Sequence, residues 1–217
     1  TITVTPVDNG IYDAASNEAS TSQSNNTASL NAIGESLSFD GIDDCLQLPS
    51  VSNIKSIGFW VYINSSQDGG DNDHLIDGRP GLDETYLQPN GSVQPDGSGA
   101  LRPGWDKIYM NGNQITNFTN TSLTRDAWIY VYLEAKSNFT DDITLMSHKD
   151  GRCGDQGENT SYESNVYLKG LLDELAIWDE ALTAAEITAL YNSNIALDAL
   201  SNSGNYTSSA DLKGYWK

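Results

Sequence analysis

The sequence predicts an all-β fold: a two-sheet antiparallel β-sandwich with one short C-terminal helix. Three observations carry this. Before residue 180, short stretches of alternating apolar and polar residues recur about every ten residues, each ended by Gly, Pro, Asn or Asp. Two of them are joined by Asn111-Gly112, the dipeptide that best tolerates the positive φ angles of a tight hairpin. Helical spacing together with a helix-start signal is found in one segment, after Leu182.

The elements follow in order. Residues 1–35, containing "AASNEASTSQSNNTAS", read as an irregular arm packing on the sandwich. Residues 36–200 hold the sandwich itself. "SLSFDG" points Leu37 and Phe39 inward and stops at Gly41, and "CLQLPS" follows, ended by Pro49. "SIGFWVYIN" places Ile57, Phe59, Val61 and Ile63 on one face, with Trp60 and Tyr62 on the other. "DKIYMNGNQI" is the hairpin. "WIYVYLEA" sets Ile129, Val131 and Leu133 against Trp128, Tyr130 and Tyr132, and "DITLMSH" supplies a further strand. Gly/Asp/Asn-rich loops at 64–73, 77–84, 88–106 and 148–163 interrupt these strands, and on a rigid sandwich such loops are binding surface or variable padding. Residues 201–217 end in "DLKGYWK", a strand that closes the sandwich or leads to a further domain.

The segment "GLLDELAIWDEALTAAEITALYN" (170–192) combines a strand, a turn and a helix. Strict alternation puts Leu171, Asp173, Leu175 and Ile177 on one face, and Leu172, Glu174, Ala176 and Trp178 on the other. Both faces are mostly apolar, so the strand is interior. A bare carboxylate at Asp173 then costs several kcal/mol unless it is paired. Either a bound cation or an Arg/Lys partner neutralises it, or a bulge turns it to solvent. Thr183 and Glu186 form a capping box, with Leu182 and Ile187 as a hydrophobic staple. Ile187, Leu190 and Tyr191 make one apolar stripe, stopped by Asn192-Ser193-Asn194.

With 30 acidic and 11 basic side chains, the net charge is −19. Such a chain has no footprint for a nucleic-acid backbone, because it cannot release phosphate counterions. The acidity suits a solvated surface in salty water, divalent-cation binding, or both. No apolar run approaches the roughly 18 residues that span a bilayer, and no secretory leader pattern is visible. A mature form or an excised fragment is therefore expected, without membrane insertion. Cys45 and Cys153 are too far apart for a CxxC site; a disulfide and two buried thiols both remain open. His74 and His148 have no Cys or Glu at ligand spacing and read as ordinary residues. Asn-x-Ser/Thr sequons occur at Asn25, Asn64, Asn90, Asn117, Asn120, Asn138, Asn159 and Asn205, and matter only in a eukaryotic secretory pathway.

The ordered set "SLSFDGIDDCLQLPS", "IKSIGFWVYINSS", "IYMNGNQI", "LTRDAWIYVYLEA" and "LKGLLDELAIWDEALTAAEITALYN" resembles concanavalin A-like jelly rolls of the laminin G type. The likeness covers roughly residues 36–192 and is nearest to such domains in bacterial surface proteins and marine phage structural proteins. It implies a structural Ca²⁺ held by Asp173 and by backbone carbonyls of the turn near Gly41. Asp40, Asp43 and Asp44 are further ligand candidates, since Ca²⁺ takes six to eight oxygens. "DGGDND" (68–73) is a second acidic stretch that either binds a cation or is a solvated loop.

Glycanases and polysaccharide lyases share this architecture. The Glu-x-Asp-x-x-Glu spacing of such enzymes is missing; "DELAIWDE" comes nearest, and no nucleophile motif accompanies the histidines. The expected function is therefore non-catalytic carbohydrate binding, as an adhesin-type module of an extracellular, cell-surface or virion-surface protein. The alternative is a structural decoration or fibre domain making protein–protein contacts. The candidate glycan contacts are Trp60, Tyr62, Tyr130 and Tyr132, with Trp128 on the same face, and Arg79, Tyr86, Arg102 and Trp105 from the loops.

Overall fold

In the computed structural model, which describes residues 2–3, 27–28, 36–66, 74–78, 86–87, 104–116, 123–147 and 167–217, thirteen strands and one α-helix are present. The chain divides into two compact units, Thr1–Gly34 and Glu35–Lys217. The first contains β1 (Ile2–Thr3) and β2 (Thr27–Ala28), an antiparallel pair. The second contains β3 (Leu37–Asp40), β4 (Leu46–Gln47), β5 (Val51–Ile63), β6 (Ile76–Asp77) and β7 (Tyr86–Leu87). After these come β8 (Trp105–Met110), β9 (Asn113–Gln114), β10 (Trp128–Asp141), β11 (Thr144–Leu145), β12 (Lys169–Trp178), α1 (Ala184–Tyr191) and β13 (Leu212–Trp216).

The strands of the second unit form two antiparallel sheets. A seven-stranded sheet runs β13-β12-β5-β10-β8-β9, with β3 also paired to β12; a four-stranded sheet runs β4-β11-β6-β7. The principal core lies between them. Ile57, Phe59, Val61 and Ile63 of β5 and Ile129, Val131 and Leu133 of β10 meet Leu75, Ile76, Leu145 and Met146 from the smaller sheet. Each fully buried aliphatic or Phe side chain contributes about 1.5–3 kcal/mol. The alternation read from the sequence explains which side chains these are.

The opposite face of the large sheet is aromatic, and it is covered. Trp60, Tyr109, Tyr130, Tyr132 and Trp178 pack beneath Leu182, Ile187 and Leu190 of the helical segment and beneath Ala196, Ala199 and Tyr206. α1 holds its place through the expected capping box. The Glu186 backbone N–H donates to Thr183 Oγ1 (3.3 Å), and the Thr183 N–H donates to Glu186 Oε2 (2.9 Å). Asn192, Ser193 and Asn194 then take left-handed conformations that end the helix. The hairpin from β8 to β9 turns at Asn111 (φ 49°) and Gly112 (φ 76°), the paired positive angles its sequence calls for.

Two local expectations need qualifying. Leu37 shares the face of Phe39, lies opposite Leu172 and lines a cleft with Leu46 and Leu175, but at the first residue of β3 it stays 46 % exposed. The two faces of β12 are also not those of strict alternation. One residue more is present in β12 than in β5 between the pairs Asp173–Trp60 and Ala176–Gly58. Glu174 takes φ 51° there, and Leu172, Leu175 and Ile177 all reach the principal core. Cys45 is disulfide-bonded, and Cys153 lies outside the described residues.

Candidate functional site

The strand register collects polar residues at one end of the large sheet. Asp40 of β3 faces Lys169 of β12, Gly170 faces Ile63 of β5, and the Asn64 N–H donates to the Lys169 carbonyl (3.0 Å). The Asp126 N–H donates in turn to the Ile63 carbonyl (2.9 Å), just before β10 begins. The acidic turn after β3 and the turn before β10 therefore lie on one rim, three strand spacings or about 14 Å apart.

Tyr62 and Trp128 face each other at this rim, ring centroids 6.0 Å apart and edge to face. Both share a sheet face with Trp60 and Tyr130, but the helical cover ends at Tyr191, which stacks on Trp60 at 5.8 Å. Beyond it Tyr62 and Trp128 stay partly exposed. Asp126, at φ 55°, lies beside them. Its Oδ1 accepts from the Ser65 N–H (2.9 Å) and, more weakly, from the Tyr62 hydroxyl (3.4 Å). Hydrogen bonds from Ser65 hold the Asp126 carboxyl below the usual range, with help from Tyr62 and Arg125 against partial desolvation. Desolvation first, and then the Asp126 charge, raise the Tyr62 hydroxyl. Ring faces, a fixed carboxylate, hydroxyls and amides suit the recognition of a polyhydroxylated ligand.

The other expected contacts fall elsewhere. Trp60 (4 % exposed), Tyr130 (3 %) and Tyr132 (0 %) are core residues under the helical cover, so the open aromatic platform is reduced to Tyr62 and Trp128. Trp105 is not a loop residue; it opens β8, is 2 % exposed, and meets Phe139 edge to face at 6.2 Å. Tyr86 lies in β7, while Arg79, Arg102 and the 68–73 acidic stretch lie outside the described residues.

The expected calcium ligands are not all brought together. Asp40, Asp43 and Asp44, around Gly41, place carboxylate oxygens within 4.8 Å of one another. They are exposed or partly so, and Asp40 Oδ1 and Asp44 Oδ2 already accept the N–H groups of Ile42 (2.7 Å) and Asp40 (3.0 Å). Asp173 is five β12 positions from the residue opposite Gly41, about 16 Å along the ladder. One ion cannot bridge that distance, so the ligand set fails as a set.

Asp173 has a different environment. The bulge does not turn it to solvent; it stays 3 % exposed, opposite Trp60 in the strand register. Its Oδ1 accepts the Glu174 N–H (2.8 Å), while Asp173 Oδ2 and Glu174 Oε2 are buried without a hydrogen-bond partner among the described residues. Here β3 ends its pairing with β12 and β13 begins, leaving a small cleft lined by Leu37, Leu172, Asp173, Leu175, Trp216 and Lys217. Burial raises the Asp173 carboxyl, offset by the Glu174 N–H and the Lys217 charge. Burial raises Glu174 to about 7, opposed by Lys217 and reinforced by Asp173 and Asp198. The ammonium of Lys217, itself paired to Asp198 at 2.9 Å, acts electrostatically on both acids of this pair.

Sequence reasoning overlooked Asp126, Ser65, Arg125 and Glu174. An Asp in the "LTRDAW" turn was a usable signal, since Asp tolerates left-handed backbone; nothing local marked Glu174. No protein-family model, curated protein or solved structure matches this chain.

Proposed function

We propose that this chain is a non-catalytic glycan-binding module of the adhesin type, from an extracellular or virion-surface protein. The observation that carries the reading is the partly exposed Tyr62–Trp128 pair beside Asp126, at the point where the helical cover of an otherwise sealed aromatic face ends. The ordered resemblance to laminin G-type jelly rolls supports it. A general-acid role for Asp126 is disfavoured by its state. A glycosidase general acid needs a carboxyl that keeps its proton near neutral pH, whereas hydrogen bonds from Ser65 push this one the other way. Where a structural Ca²⁺ is part of the function, Asp40, Asp43, Asp44 and the Gly41 turn are its proposed seat, without Asp173.

A glycan array read with and without EDTA tests this. Specific binding supports it, and loss in EDTA assigns the ion a part. Release of reducing ends from a bound polysaccharide would replace binding with catalysis. The alternative is a structural domain making protein contacts, and a blank array would point to it.

A further inference from the structure

We infer that the rim selects uncharged glycans over sulfated or uronate-containing ones. The inference rests on the glycan reading above and names its ligand class. Among the described residues, four acids, Asp40, Asp43, Asp44 and Asp126, stand on the rim against two bases, Arg125 and Lys169, in a chain of net charge −19. The acid that matters most is Asp126. The Ser65 N–H fixes its carboxylate at 2.9 Å, and it lies 3.4 Å from the hydroxyl of Tyr62, whose ring is 6.0 Å from that of Trp128.

A pyranose stacked on the Tyr62 ring, whose hydroxyl is 3.4 Å from that carboxylate, brings its substituents to within about 5 Å of it. A hydroxyl there donates a hydrogen bond to it. A sulfate or carboxylate there is repelled, by roughly 4-fold in affinity at the dielectric of water and roughly 200-fold at the value typical near protein surfaces. Arg125, whose charge reaches Asp126, lessens this repulsion, and the acids of the aspartate turn keep the rim negative. The wider negative field adds to the repulsion and weakens with salt. Bound calcium is the one agent able to invert the preference, by bridging an anionic sugar to the aspartate turn, so the test is run in EDTA.

The experiment is affinity electrophoresis of the whole chain in native gels containing laminarin, mannan, galactan or xylan. Each is paired with a chemically sulfated derivative of the same polymer, and alginate is included. At least one neutral polymer is expected to retard the protein at least tenfold more strongly than its sulfated partner. In Asp126→Asn that ratio should fall at least threefold. Equal or stronger retardation by the sulfated forms or alginate overturns the inference and leaves glycan binding standing. Retardation by none of the polymers overturns both. An unchanged ratio in Asp126→Asn overturns the assignment to Asp126.

Discussion

Replacing Glu186 with Gln should destabilise the protein by about 2–3 kcal/mol at neutral pH. Glu186 is a buried carboxylate on α1, and five donors converge on it. Its Oε2 accepts from the Thr183 N–H and Oγ1 (both 2.9 Å); its Oε1 accepts from the Thr207 N–H (3.2 Å), Thr207 Oγ1 (3.0 Å) and Ser208 Oγ (2.7 Å). Burial alone would raise its pKa, but these bonds outweigh burial and hold it at about 2, against the usual 4.5. That difference is worth about 3 kcal/mol, at 1.36 kcal/mol per unit. The folded pKa lies below the unfolded one, so the stabilisation is complete above about pH 4.5 and is lost as pH falls towards 2. Gln presents an NH₂ group to donors that need acceptors, leaving one or two of them unsatisfied. In urea titrations followed by tryptophan fluorescence, the variant should be about 2–3 kcal/mol less stable at pH 7. The gap should shrink to about 1 kcal/mol by pH 2.5, where Glu186 is protonated in the unfolded chain and only beginning to be in the folded one. Equal stabilities at pH 7, or a gap that persists unchanged at pH 2.5, would refute the reasoning.

Glu174 should act with the opposite sign. Its folded pKa of about 7 exceeds the unfolded 4.5, so stability should fall as pH rises between those values, by no more than about 2–3 kcal/mol given its partial exposure. Glu174→Gln should flatten that limb in EDTA-containing buffer, and Glu174→Gly, which also suits φ 51°, should raise Tm at pH 8; a lowered Tm would count against the bulge strain. Tyr206→Phe should cost about 1–3 kcal/mol by chemical denaturation, because the buried hydroxyl accepts from Trp178 Nε1 (3.0 Å) and donates to the Ala199 carbonyl (2.9 Å). Gly170→Ala should prevent folding or cost more than about 3 kcal/mol, since a Cβ there collides with the Tyr62 carbonyl; a wild-type melting curve would contradict the β12–β5 register.

What the sequence disclosed depended on how local the deciding interaction was. The Asn111-Gly112 turn and the Thr183–Glu186 box are set by residues within a few positions of each other, and both could be read directly. The core face of β5 and β10 follows from a period of two and was equally legible. Burial of Trp60, Tyr130 and Tyr132 was not, because the residues covering them, Leu182 to Tyr206, come from far along the chain. An uncovered aromatic face and a covered one have the same local pattern. Trp105 misled through its Gly/Pro-rich neighbours, although the strand begins at that residue. Asp173 was placed on a mostly apolar face with a bulge to solvent left open; it is buried, and the bulge at Glu174 that breaks the alternation has no glycine to announce it. Asp126 became a site residue only when the register set it beside Tyr62.

The central claim is that ligand is gripped at Tyr62 and Trp128. Isothermal titration of the strongest array ligand into wild type and into Trp128→Leu, each confirmed folded by its melting curve, tests it most directly. The account predicts an affinity at least tenfold weaker in the variant, in keeping with the cost of removing a tryptophan at the centre of an interface. Indistinguishable binding curves would place the ligand elsewhere and contradict it.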